Sequence, residues 1–292
     1  SSKQGKGKAE RPVGVALHQW KRQAEFRRIV ATPDGYDLCE FDFAGQEFRW
    51  MAVESGDETM LSLCAPGEDA HAYMGGRISR IEYKTMLAGL HADIPDPIIK
   101  SKRQLGKVGN LSLQYRTSAK TLRARARTDY GIRLTDIEAK AIHATYQLTY
   151  RGVPEYWQKQ ILTARHQGYV ATLAGRRVQL GFGTEWPRKL AWSYESTAIN
   201  FPIQGVGADQ KYLAICVISD YLPKVGARFA FELHDGLFFF VPKAHTQRAV
   251  REMRQILSNL PYEKAWGCRL PIQFPVDAKV GPSWGDLKEV HD

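Results

Sequence analysis

Apolar and polar positions along this chain follow a strand period near both ends and a helical period between them. The turn signal Thr32-Pro33-Asp34-Gly35 precedes Tyr36–Phe43, an apolar stretch that predicts a buried strand. From Gln46 the period becomes helical, with Phe48, Met51 and Ala52 on one side until Ser55-Gly56-Asp57. Shorter helical pieces follow through Ile81, and the breaker Pro95-Asp96-Pro97 closes that region. The basic segment from Ile98 to about Arg127 predicts two helices with a break near Arg116-Thr117-Ser118. Asp136–Tyr150 is amphipathic, and Pro154 is tolerated near the start of the helix after it.

Beyond that point Gly168–Leu180 alternates around a glycine and predicts a hairpin. Separate helices are expected over Lys189–Ile199 and Gly207–Tyr221. Phe229–Leu233 and Leu237–Val241 make a strand–turn–strand unit with His234-Asp235-Gly236 at its tip. A helix over Thr246–Leu257 and a closing strand over Ile272–Val280 complete the pattern, and there is no internal repeat. Strands at the ends around a helical block predict an α+β fold, a small antiparallel sheet carrying a helical insertion.

Composition narrows the classes. The 292 residues leave ample room for a core. A net charge of +10, from 41 Lys+Arg against 31 Asp+Glu, suits a polyanionic partner without proving one. The four cysteines Cys39, Cys64, Cys216 and Cys268 form no CxxC pair, which argues against structural zinc and for a reducing compartment. No apolar run approaches the roughly 20 residues that span a bilayer, so no membrane partner is expected.

Two acids stand out against this background. Asp42 follows an apolar strand pattern, and Asp235 interrupts another at a turn. Magnesium prefers oxygen ligands and keeps several waters, so two aspartates with substrate phosphates suffice for a two-metal phosphoryl-transfer site. The alternatives are a helix N-cap for Asp42 and a hairpin tip for Asp235, and each stays open on these residues alone. Arg103, Lys107, Leu111 and Tyr115 recur every four residues, so one helix face carries all four. Arg and Lys one turn apart can clamp a phosphate chain. A solvated basic face explains the same spacing.

The landmarks taken together resemble the palm and fingers of family A DNA polymerases, the bacterial DNA polymerase I group and its phage relatives. Asp42-Phe43-Ala44-Gly45-Gln46-Glu47-Phe48-Arg49 is similar to their Asp-Tyr-Ser-Gln-Ile-Glu-Leu-Arg motif. Arg103-x3-Lys107-x7-Tyr115 resembles the nucleotide-binding fingers helix. The Gly168–Arg177 stretch, Asn200-x-Pro202-x-Gln204-Gly205-x2-Ala208-Asp209 and His234-Asp235 follow in the family's order. Five ordered landmarks are specific where any one would be weak.

That resemblance implies a template-directed DNA polymerase acting on primer–template DNA and dNTPs, with two Mg²⁺ (or Mn²⁺) ions, in bacterial or phage-infected cytoplasm. It implies that Asp42, Asp235 and the Phe43 carbonyl hold the metals. Arg103 and Lys107 grip the triphosphate, Lys107 protonates the leaving pyrophosphate, and His71 lies near the same phosphates. Glu47 excludes a ribose 2′-hydroxyl, Leu111 faces the nucleotide, and Tyr115 sits beside the templating base. Arg49, Asn200, Gln204 and His234 contact DNA. The implied domains are palm over 1–56, fingers over 57–195 and palm again over 196–292.

Departures from the pattern are Leu111 for an aromatic, Ser112 and Arg116 for glycines, Ser196 for an arginine and Gly236 for a third acid. Ser1-Ser2 resembles the tail of a Thr-Gly-Arg-(x)-Ser-Ser stretch, so the expectation is a fragment or split subunit. Thumb and N-terminal domains would then be absent, and a second polypeptide would supply the thumb and remaining palm. The rival reading, supported by the departures, is a non-catalytic DNA-binding subunit that keeps the fold. A related RNA polymerase is a further rival, against which Glu47 argues.

Overall fold

The computed structural model describes residues 24–183 and 186–290, so the expectation drawn from Ser1-Ser2 falls outside the described residues. The elements run α1 (Ala24–Arg27), β1 (Tyr36–Phe43), α2 (Gln46–Ser55), α3 (Glu58–Ser62), α4 (Ala70–Ser79), α5 (Tyr83–His91) and α6 (Pro97–Leu113). They continue α7 (Ala119–Tyr130), α8 (Asp136–Thr149), α9 (Gly152–Gln167), β2 (Tyr169–Ala171), β3 (Arg177–Gln179) and α10 (Arg188–Ser219). The last are β4 (Arg228–Leu233), β5 (Gly236–Pro242), α11 (Thr246–Ser258), α12 (Tyr262–Trp266), β6 (Val276–Gly281) and β7 (Lys288–Glu289). This mixture of helix and antiparallel sheet is the expected α+β class.

The chain divides into two compact units. One takes the described residues up to Asp42, with Leu222–Val250 and those from Ala278 onward. It holds most of a five-stranded sheet of order β4-β5-β1-β6-β7. β1 pairs antiparallel with β5 from Tyr36↔Pro242 to Asp42↔Gly236. Alternation puts Leu38, Glu40 and Asp42 on one face and Cys39 and Phe41 on the other. Leu38, Phe238 and Trp284 form a buried cluster, while Phe41 meets Phe239 edge to face at 5.8 Å. The sheet is thus apolar on both sides until the Asp42 end, where carboxylates replace rings.

The other unit comprises Phe43–Tyr221 and Arg251–Asp277 and is mostly helical. Trp50 is fully buried against Phe274, with ring centroids 4.4 Å apart. Its indole Nε1 donates to Gln210 Oε1 at 2.8 Å, which also accepts from Gln46 Nε2 at 2.9 Å. Gln210 Nε2 donates to Tyr262 Oη at 2.6 Å, so this buried polar chain is satisfied along its length.

Several expectations change. Helices predicted separately over Lys189–Ile199 and Gly207–Tyr221 are one helix, α10, continuous through Pro202. Pro202 cannot donate to the preceding turn, yet Tyr156 Oη donates to the Ile199 carbonyl in that turn at 2.9 Å. Glycines of α10 serve close approach. A Cβ at Gly205 would lie 2.6 Å from Thr172 Cγ2, and one at Gly207 2.8 Å from Gln46 Oε1. The closing strand starts at Val276 rather than Ile272, and the β4–β5 tip is the pair His234-Asp235, since Gly236 already pairs with Leu233. Finally, α2 is capped by Gly45 in the left-handed region, not by Asp42.

Candidate active site

Asp42 closes the β1–β5 ladder opposite Gly236, and Asp235 occupies the turn just before it. His234 at φ 54° is in the left-handed region, which sharpens that turn beside the end of β1. Burial, then the neighbouring charges of Asp235 and Glu40, push the Asp42 carboxyl up to about 7. Lys279 works in the opposite direction. Asp42 Oδ1 is buried without a hydrogen-bond partner among the described residues. A buried acceptor in an excess of negative charge is what a cation would relieve, so the pair fits a divalent ion. Among the described residues no group of three or more His, Cys, Asp or Glu side chains has metal-ligand geometry. Further oxygen ligands would come from water, substrate or main chain.

The second constellation belongs to α4 and α6. Glycines set the spacing: a Cβ at Gly106 would lie 2.1 Å from the His71 carbonyl, and one at Gly75 2.3 Å from the Lys102 carbonyl. The two backbones therefore touch, and His71 comes against Arg103 and Lys107. Asp69 caps α4 by accepting from the amides of His71 and Ala72, at 2.9 and 2.8 Å. It also receives Arg103 Nε at 2.6 Å. Burial opposes the Asp69 charge, but the Ala72 amide and Arg103 outweigh it and hold the carboxyl below its usual range. Arg103 spends only Nε on this bond, which leaves its two terminal amino groups for a ligand.

Asn110 Nδ2 donates to the Ala70 carbonyl at 2.9 Å and lies 3.2 Å from His71 Nδ1. With the amide donating, Nδ1 accepts and the ring proton resides on Nε2. Burial, then the Arg103 and Lys107 cations, push the His71 pKa down to about 4 against the pull of Asp69. His71 is therefore a neutral donor at physiological pH. Lys107 has no carboxylate within ion-pair distance among the described residues.

The third grouping surrounds Glu47 on α2. Gln114 Nε2 donates to Glu47 Oε2 at 2.9 Å, and Trp157 Nε1 donates to the Gln114 carbonyl at 2.9 Å. The Tyr115 hydroxyl is buried beside Glu47 and Gln204; burial, then the Glu47 charge, raises its pKa. Glu47, Tyr115 and Gln204 thus converge, although they are far apart in the sequence. Leu111 is half-buried on α6, whereas Tyr115 lies in the turn just beyond the helix end at Leu113, so the expected single helix face carries only Arg103, Lys107 and Leu111.

Other landmark residues are committed within the protein. The Arg49 guanidinium donates to the carbonyls of Ala44, Cys64 and Gln273 at 3.0, 2.8 and 2.8 Å. Arg176 pairs with Asp209 at 2.9 Å and donates to the Gly205 carbonyl at 2.7 Å, while Thr172 Oγ1 donates to Asp209 at 2.6 Å. Two sequence landmarks therefore clamp the β2–β3 hairpin to α10. Asn200 Nδ2 donates to Ser196 Oγ at 3.4 Å, and its Oδ1 is buried without a partner among the described residues. Phe43 ends β1 with its side chain buried.

Comparison with known proteins shows the family. The DNA polymerase family A profile matches residues 16–286. The chain belongs to DNA polymerase family A. It is 26% identical over 278 residues to the thermostable DNA polymerase I of Thermus aquaticus, covering 95% of this chain and 30% of that protein. It is 28% identical over 257 residues to DNA polymerase I of Mycobacterium leprae, covering 86% of this chain and 25% of that one. The chain thus spans well under half the length of these curated relatives. Among solved structures it resembles the POL domain of Pol1 from M. smegmatis in complex with DNA primer-template and dNTP. The TM-score is 0.73 at 24% identity, over 90% of this chain and 42% of that chain, a likeness of fold.

Within this family A chain, several residues that shape the candidate site were not singled out from the sequence. Asp69 and Asn110 orient Arg103 and His71, Gly75 and Gly106 set the helix spacing, and Glu40 with Lys279 flanks Asp42. Only Glu40 carried a local signal, two positions before Asp42 on the same strand face. Among the described residues no helix is long and apolar enough to cross a membrane.

Proposed function

We propose that this family A chain is the catalytic portion of a template-directed DNA polymerase. It would join the α-phosphorus of a dNTP to a primer 3′-hydroxyl with release of pyrophosphate. The observation that carries the reading is the Asp42–Asp235 pair, with its buried, unpartnered carboxylate oxygen at the end of a strand ladder. Asp42 and Asp235 would hold two divalent ions, which supply activation of the attacking hydroxyl and stabilisation of the leaving group.

The remaining roles follow from the chain's own chemistry. Arg103 offers its terminal amino groups to phosphate oxygens in a planar fork, and Asp69 fixes the direction of that fork. Lys107, an ammonium on the same face with no ion-pair partner among the described residues, binds the phosphates and hands a proton to departing pyrophosphate. His71 donates from Nε2 as a neutral group. Glu47, which Gln114 braces, would exclude a ribose 2′-hydroxyl. Asn200, Gln204 and His234 are assigned to duplex contacts, where minor-groove acceptors are common to all base pairs. A second polypeptide that supplies a thumb belongs to the same proposal, as does the division into palm over 1–56 and 196–292 with fingers over 57–195.

Primer extension with Mg²⁺ tests this, with the chain alone and with the product of the neighbouring reading frame. Asp42→Asn and Asp235→Asn are expected to abolish incorporation while salt-sensitive DNA binding persists. Undiminished extension by either variant would overturn the metal assignment. DNA binding without incorporation by the unmodified chain under both conditions would favour the non-catalytic subunit.

A further inference from the structure

Glu40 lies two residues before Asp42 on β1, so both acids emerge on one face of the sheet. In register Glu40 faces Phe238 and Asp42 faces Gly236. Position 236 carries no side chain, and the Glu40 carboxylate reaches that bare backbone: a Cβ built on Gly236 would lie 3.6 Å from Glu40 Oε1. The other oxygen, Oε2, is 3.3 Å from Lys279 Nζ on β6. Side-chain exposures of 17% for Glu40 and 33% for Lys279 make this pair less screened than an open surface bridge. The carboxylate thus spans from the lysine of one neighbouring strand to the start of the other.

We propose that Glu40 is the third acid of the metal site, a positioning carboxylate acting from beside Gly236 with Lys279 as its counter-charge. The inference rests on the two-metal reading above. Three acids against one lysine leave negative charge that a divalent ion balances. Magnesium and manganese retain water ligands, and a carboxylate just outside the ligand shell orients those waters and strengthens the field. The absence of a three-residue ligand cluster among the described residues suits this outer role rather than direct coordination. The competing explanation is a salt bridge that only ties β1 to β6.

The two explanations differ in sign, and Mn²⁺ titration followed by electron paramagnetic resonance on the full chain separates them. Glu40→Gln keeps shape and removes charge; it is expected to weaken Mn²⁺ binding by about tenfold. Lys279→Met removes the counter-charge and is expected to tighten binding about threefold. Thermal melts in parallel confirm folding. Unchanged Mn²⁺ affinity in Glu40→Gln, or equal weakening in both variants, overturns the proposal in favour of a structural bridge. Asp42→Asn is the control: if it too leaves Mn²⁺ binding unchanged, the two-metal reading itself falls. If Asp42→Asn weakens binding and Glu40→Gln does not, only the role of Glu40 falls.

Discussion

Gly75 and Gly106 meet backbone to backbone: a Cβ on Gly106 would lie 2.4 Å from Gly75 N and 2.9 Å from its Cα. This contact places His71 on α4 against Arg103 and Lys107 on α6. Gly106→Ala must therefore separate the helices. Overpacking against backbone is expected to cost about 1–3 kcal/mol or more. Chemical denaturation would read that loss, and dNTP titration would read a raised KM as the groups proposed to bind phosphate spread. A variant with unchanged stability and KM would show that the helices do not need this spacing.

His71 provides a pH test. Its folded pKa of about 4 lies below the model-compound value of 6.5, so neutral His71 is what the fold accepts. Its contribution is fully present above 6.5 and is lost as pH falls through 4. His71→Gln should flatten the stability–pH curve in that window by on the order of 2 kcal/mol. Urea titrations of both proteins at pH 7, 5.5 and 4 measure the difference. Parallel curves would show that His71 is not the group responsible.

Glu54 behaves with the opposite sign. Burial pushes its carboxyl up to about 7, with Lys159 pulling the other way. The protonated form is favoured in the fold, so this contribution is complete below 4.5 and is lost as pH rises through 7. Glu54→Gln is expected to be more stable than the unmodified protein at pH 8, on the order of 1–2 kcal/mol after allowance for partial solvent access. The two should match at pH 4. Melting temperatures across that range decide it.

Glu47 joins structure to selectivity. Gln114 is 1% exposed and gives its Nε2 hydrogen to Glu47, so Glu47→Ala leaves a buried donor unpaired. That is expected to cost about 1–3 kcal/mol. If Glu47 also excludes the ribose hydroxyl, the same variant should raise the rNTP-to-dNTP incorporation ratio about tenfold or more. Competition assays with matched nucleotides measure the ratio, and an unchanged value with lowered stability would confine Glu47 to bracing Gln114.

Much of the fold was legible locally. Alternation along Tyr36–Phe43 specifies a strand, and the four-residue spacing of Arg103, Lys107 and Leu111 specifies one helix face, because both periods follow from backbone geometry; Tyr115 falls beyond the helix end at Leu113. Asp42 with Asp235, and Arg103 with Lys107, were identifiable because motif order survives in one dimension. The continuity of α10 through Pro202 was not legible locally, because contacts along that helix, such as the Tyr156 hydroxyl on the Ile199 carbonyl, come from a different helix.

What sequence alone determined is therefore the set of elements and the identity of the chemical groups. Tertiary structure decided their state. Asp42 and Asp235 share one charge environment only because β1 and β5 pair in a particular register. Arg49 turned out to serve three carbonyls, and His71 is neutral because burial and then two neighbouring cations disfavour its charge, with Asn110 beside Nδ1. Protonation, hydrogen-bond partners and helix spacing depend on burial and distance between residues remote along the chain. Local sequence carries neither quantity; packing sets both.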